Sequence, residues 1–296
     1  MSEVTREEKF LFDIQGFLIL RGAIESELVK ALDQAVVENE AIEHDESWAE
    51  GLFDRPLAES FKFGKHLTKD LGPEHHVRLN GLPRLDPIFD GLIAHPSIVP
   101  YLREFMDEPQ LVNTWSISKY EGMKATGWHS GLRPYDYSVR EGKIHTPMVN
   151  VVTMLTPNHS GDGCFAVIPG SHKKNFDVAD RKKTKPEDPW SWSGLDTPGA
   201  IEITGDPGDV MIFTEALTHC GSDKTTARRR TTLQYNHVDS SRVAGAMKDY
   251  HNTRHYWMPP SIRDRFTPEQ LEMTHWMDYT IPDRSIHGAE KITDLS

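Results

Sequence analysis

From Leu111 onward the chain is a succession of short apolar runs: LVNTWSISKY, MVNVVTMLT, GCFAVIP, GAIEIT, DVMIFTEALTH and RRTTLQYNH. No other feature restricts its fold as tightly. Each run is rich in Val, Ile, Thr and aromatic residues, which suit the pleated surface of a strand. Gly, Pro, Asp or Asn separates one run from the next, as turns require. Short strands repeated in this way close as an antiparallel sandwich or barrel. The residues before them read mainly as helices. ESELVKALDQAVVENEAI sets Leu28, Leu32, Val36 and Val37 on one face, and HPSIVPYLREFM opens on Pro and Ser. FDIQGFLILRGAI (12–24) interrupts them as a short apolar strand hinged at Gly16 and Gly22.

No Gly- or Pro-rich linker divides the chain, so residues 1–296 read as a single domain. Its parts are a mainly helical front (1–110), a β core (111–238) and a C-terminal wrap or lid (239–296). Apolar residues at 37% and charged residues at 26% belong to an ordinary globular protein. No apolar run reaches the roughly 18–20 residues of a membrane span, and MSEVTREEKFLFD does not resemble a signal peptide. Two cysteines make no disulfide framework. Together these point to a cytoplasmic protein. A net charge of −12 argues against a nucleic-acid partner. The local exception, RKKTK at 181–185, is either a solvated loop or a landing strip for an anionic substrate. Nothing in the pattern specifies an oligomeric state.

Fifteen histidines are too many to be metal ligands, and position selects among them. His129 follows Trp128 beside Gly131, His219 ends DVMIFTEALTH, and Arg230 lies eleven residues beyond His219. Histidines from different strands can converge on one metal, and an inward arginine can pair bidentately with a carboxylate. A lone strand histidine is more often a core residue, so the ordered set carries the signal.

FDIQGFLILRGAI, WHSG, DGCFAVIPGSHKKNF and GDVMIFTEALTHCGSD followed by RRRTTLQY resemble the phytanoyl-CoA dioxygenase family over residues 8–238. The resemblance implies a mainly β fold with packed helices around a double-stranded β-helix, a cupin-like jelly roll. It implies Fe(II), 2-oxoglutarate and O2 as cofactors and a small-molecule substrate whose unactivated C–H bond is modified. Position by position, it makes His129 and His219 the iron ligands and gives the far carboxylate of 2-oxoglutarate to Arg230. Arg229 replaces Arg230 if the strand register slips by one. Lys119 and Thr153 fall near the cofactor pocket. The DGCFAVIPGSH segment, with Asp162, Ser171 and His172, becomes a shaping turn and barrel edge.

One position departs from the family pattern, in which the motif is His-x-Asp or His-x-Glu. Here the third residue is Gly131, which cannot bind a metal. A chloride or bromide ion could take the vacated position, with Ser130 and backbone N–H groups near Gly131 as donors, and the product would then be halogenated. Radical halogenation is the expectation. Alternatively, water or a carboxylate from Asp136 or Asp162 fills the place and the enzyme is a hydroxylase; a hydroxylase with an exchanged aspartate would carry the same residues. A non-catalytic cupin-like small-molecule binder is the competitor from another class. Trp115, Tyr135, Tyr137, Trp190 and Trp192 are candidate pocket aromatics, and Arg133 is a candidate for a substrate anion.

Overall fold

A computed structural model describes residues 3–41, 75–132, 136–175, 194–242, 258 and 260–275. Helix α1 (Arg6–Gln15) starts at a capping box in which Thr5 accepts from Glu8 N–H and the Glu8 carboxylate accepts from Thr5 N–H. It stops at Gly16, whose φ of 86° ends the helix in the left-handed conformation. The chain therefore leaves α1 directly into strand β1 (Phe17–Leu20). The apolar segment 12–24 is thus helix end plus strand rather than one strand, because Gly16 divides it. Helix α2 (Ser26–Glu40) buries Val29, Leu32, Ala35 and Val36, while Val37 faces outward. Strand β2 (Val77–Asn80), helix α3 (Leu82–Leu85) and helix α4 (Val99–Phe105) follow among the described residues of the front.

Eight further strands follow: β3 (Pro109–Lys119), β4 (Ser138–Arg140), β5 (Lys143–His145), β6 (Met148–Met154), β7 (Phe165–Val167), β8 (Ile201–Ile203), β9 (Val210–Thr214) and β10 (His219–Gly221). Strand β11 (Arg230–Asp239) is the last among the described residues. The main sheet is antiparallel with strand order β1-β9-β6-β11-β3-β2, and a smaller sheet has order β10-β7-β8. Strands β4 and β5 form a separate hairpin. This is a jelly roll with helices on one side. The front is less purely helical than its sequence suggests, since β1 and β2 supply both edges of the main sheet.

DVMIFTEALTH, read as one run, is two strands. The main sheet ends at Thr214, the chain turns through residues 215–218, and β10 begins on the other sheet at His219. Alternation along β6 and β9 gives the main sheet two apolar faces, while β11 turns Arg230, Gln234 and Asn236 to the inner one. One face meets the helices through Leu32, Phe105, Val151, Ile212 and Leu233, among others. The other meets the smaller sheet through Val152, Met154, Phe165, Val167, Met211 and Phe213.

On the helical side Phe12 stacks on Phe105 with ring centroids 4.0 Å apart, and the Tyr235 hydroxyl donates to Phe89 O at 2.6 Å. Helices α5 (Pro260–Arg263) and α6 (Pro268–Met273) also dock there. Arg265 pairs with Asp90, Gln270 donates to Asp90 O, and Gln110 donates to Glu272 O. Most of the expected C-terminal wrap lies outside the described residues. We propose that front and core unfold as one unit. Phe12→Ala then lowers the stability of the whole by about 3–5 kcal/mol in chemical denaturation, through a single transition at a lower midpoint.

Candidate active site

His129 and His219 face each other across an antiparallel bridge, each backbone N–H donating to the other's carbonyl at 2.8 Å. A directly opposed pair places both side chains on one side of the strands. Their rings accordingly stand 4.1 Å apart, centroid to centroid, and are tilted by 56°. Each Nδ1 lies against the carbonyl two residues earlier: His129 on Gly127 O at 3.0 Å and His219 on Leu217 O at 2.8 Å. A carbonyl only accepts, so each Nδ1 carries the proton and each Nε2 carries the lone pair. This is the tautomer of a metal-bound histidine held by an outer hydrogen bond. His219 is buried against Phe165 and Phe213, while His129 lies at the exposed rim.

The pair borders a cavity of about 310 Å³ between the two sheets. Strand β3 contributes Trp115, Ile117 and Lys119, and β11 contributes Arg230 and Gln234. The register explains why they share a face, since Arg230 is opposite Lys119 and Gln234 is opposite Trp115. Arg229, one residue away, turns to the outside and pairs with Asp33 of α2 at 2.6 Å. Thr153 also turns away from the cavity. It stands opposite Leu233 and Val210 on the helical face, because Val152 and Met154 occupy the inward positions of β6. The expected pocket role of Thr153 is corrected by this parity.

The cavity is cationic. Arg78, Lys119 and Arg230 line it beside a neutral His76, and no carboxylate is among its described lining residues. Lys119 Nζ donates to Lys124 O at 2.9 Å and to Ser222 O at 2.5 Å. Burial, followed by the neighbouring Arg230, lowers its pKa to about 8. Arg230 is lowered to about 10 by burial, and its Nε donates to Asn158 Oδ1 at 2.6 Å. His76 is lowered to about 4 by burial and then by Arg78, so it is neutral at pH 7. Arg78 lies over the Trp115 ring at 4.1 Å. Desolvated cations this close favour a ligand with more than one negative charge.

Ser130 is half-buried and does not line the cavity. The Gly131 N–H is already engaged: it donates to Glu215 Oε1 at 2.9 Å. Glu215 lies in the turn between β9 and β10 and is buried, and its Oε2 accepts from Asn150 Nδ2. Burial pushes its carboxyl upward, while His129, the Asn150 amide and the Gly131 N–H act against that rise. Among the described residues no three His, Cys, Asp or Glu side chains are grouped to hold a metal ion. The imidazole pair is a donor set that fits iron, with the remaining positions left to other ligands.

Asp162 is fully buried and engaged by Lys224, Arg228 and Thr226, and Asp136 does not line the cavity. Ser171 Oγ accepts from Thr218 N–H, and His172 contacts Asp13 O and the edge of Tyr137, so both brace the barrel edge. Tyr137 is buried with its hydroxyl on Asp13. Arg133, Tyr135, Trp190, Trp192 and the 181–185 run lie outside the described residues.

The chain is thus a jelly roll with paired histidines at the mouth of a cationic cavity. The phytanoyl-CoA dioxygenase model matches residues 12–232, and the chain belongs to that family. Curated relatives include ectoine dioxygenase from Streptomyces anulatus, 26% identical over 175 residues, 53% of this chain and 58% of that protein. Dioxygenase lolE1 from Epichloe uncinata is 30% identical over 112 residues, 37% of this chain and 34% of that protein. The chain thus spans about a third to three fifths of these relatives. Among solved structures, HygX from Streptomyces hygroscopicus with nickel and 2-oxoglutarate bound aligns with a TM-score of 0.62 at 21% identity. That alignment covers 80% of this chain and 87% of HygX and supports the fold. No helix among the described residues is long and apolar enough to cross a membrane.

His76, Arg78, Gln234 and Glu215 have no part in the sequence reading. Glu215 had a legible signal, a carboxylate at the end of an otherwise apolar strand. The Asp162 cluster generates a prediction. Removing one member of a buried ion pair strands its partners, so Asp162→Ala costs about 3–5 kcal/mol. Thermal unfolding reads that loss, and metal uptake by the folded fraction stays unchanged.

Proposed function

We propose that this protein oxygenates an unactivated C–H bond of a small molecule, using Fe(II) and 2-oxoglutarate. The observation that carries the reading is the convergence of His129 and His219, 4.1 Å apart, at the mouth of a cavity whose cations include Lys119 and Arg230. Two imidazole nitrogens hold the iron. The buried Arg230 guanidinium pairs with the far carboxylate of 2-oxoglutarate, and Lys119 adds a second cation beside it. With O2 these cofactors supply the oxidising power for C–H functionalisation. The residues of the chain orient and shield: Phe165 and Phe213 exclude water behind His219, and Trp115 with Arg78 forms a wall on which a substrate packs.

Substrates of the relatives offer a guide to size. HygX has been solved with hygromycin B bound, and the ectoine enzyme is named for ectoine. A polar small molecule is the matching class here. Halogenation is the second reading, and Gly131 favours it. The Glu215 carboxylate beside Gly131 favours oxygenation.

Loss of a charge-assisted bidentate pair costs on the order of 2–5 kcal/mol, so Arg230→Ala raises the 2-oxoglutarate requirement more than tenfold. An unchanged requirement in steady-state titration contradicts the assignment. A second expectation follows from Lys119. Its pKa of about 8 lies below the ordinary lysine value, so its charge is lost as pH rises through that value. Affinity for the dianion, measured by anaerobic titration, therefore falls above pH 8 in the wild type and stays flatter in Lys119→Met.

A further inference from the structure

We infer that Glu215 governs the position left open by Gly131 and keeps halide out of it. The inference rests on the iron and 2-oxoglutarate reading above and assigns a specificity-determining role to a residue outside the His-x-Gly motif.

The glycine itself points there. The Gly131 backbone lies outside the left-handed region, so its conformation does not require a glycine. What excludes a side chain is Glu215. A Cβ on residue 131 would stand 2.7 Å from Glu215 Oε1 and 2.8 Å from its Cγ. The place where a His-x-Asp protein begins its carboxylate side chain is filled here by a carboxylate arriving from the turn before β10. Gly131 and Glu215 form a matched pair.

The carboxylate is held by a built network. Oε1 accepts from Gly131 N–H, and Oε2 accepts from the Asn150 amide. The Asn150 oxygen accepts from Asn236 Nδ2, which leaves the Asn150 nitrogen end facing Glu215, the orientation an acceptor oxygen needs. Asn113, Asn236 and Asn150 are register partners across β3, β11 and β6, and each is 2% exposed. Burying the Asn150 and Asn236 amides is costly unless they hold something, and an apolar side chain would serve if only space had to be filled.

Two geometric effects then oppose halide. The Glu215 side chain occupies the room that Gly131 vacates. Its Oε1, together with its own main-chain carbonyl at 3.1 Å, also takes up the Gly131 N–H, the donor a halide near residue 131 would need.

The test uses the full-length protein with Fe(II) and 2-oxoglutarate under anaerobic conditions, followed by its visible absorption band. Sodium chloride is titrated against sodium sulfate of equal ionic strength. The wild-type band is expected to ignore chloride, and the Glu215→Ala band to shift with a saturable chloride dependence. A saturable shift in the wild type overturns the inference, as does a Glu215→Ala protein that forms the band and ignores chloride. A wild type that forms no band at all fails the iron and 2-oxoglutarate reading instead. A thermal melt adds a readout independent of the metal and of whether Glu215→Ala folds. Gly131→Ala is expected to lower Tm by roughly 3–8 °C, because its new methyl group meets Glu215. An unchanged Tm contradicts the matched pair.

Discussion

The antiparallel bridge between His129 and His219 is the contact on which the rest of the site depends. Two reciprocal backbone hydrogen bonds join residues 90 positions apart and fix both imidazoles on one side of the strands. Their Nδ1 protons go to carbonyls two residues earlier, so the backbone that positions each ring also sets its tautomer. The bridge exists because the chain crosses from the main sheet at Thr214 to the smaller sheet at His219. That crossing turn carries Glu215. One short excursion therefore delivers His219 and the carboxylate that stands behind Gly131.

The cavity adds a second constraint of opposite character. The two sheets bury Lys119 and Arg230, and burial lowers the pKa of each. These groups are held for a purpose. Lys119 is tied by two carbonyls and Arg230 by Asn158, so neither pays much further ordering when an anion arrives. The neighbouring Asp162 is matched by both Lys224 and Arg228, so that cluster carries no excess of negative charge toward the cavity.

Much of this was legible in the sequence, for identifiable reasons. The strands with β-branched residues at every second position read correctly because packing and propensity agree there, and Arg230 could be distinguished from Arg229 only as a choice between two strand faces. The histidines stood out by their order along the chain. Thr153 misled because a strand's nearness to a pocket says nothing about which face a residue takes. The segment 12–24 misled because the apolar period alone does not show that Gly16 caps a helix. Strands β2, β4 and β5 are too short and polar to carry a pattern, and His76 and Arg78 reach the cavity from β2 and its approach. Glu215 was visible but unassigned, since only the folded turn brings it against Gly131.

The central claim is that two imidazoles and the cationic cavity hold iron with 2-oxoglutarate while Glu215 denies the open position to halide. X-ray absorption at the iron edge tests it most directly, on the anaerobic Fe(II) and 2-oxoglutarate complex in excess bromide, since bromine scatters far more strongly than nitrogen or oxygen. The expected spectrum fits with nitrogen and oxygen neighbours alone, including two imidazoles. A bromine shell bonded to the iron would contradict the claim and return the protein to the halogenases.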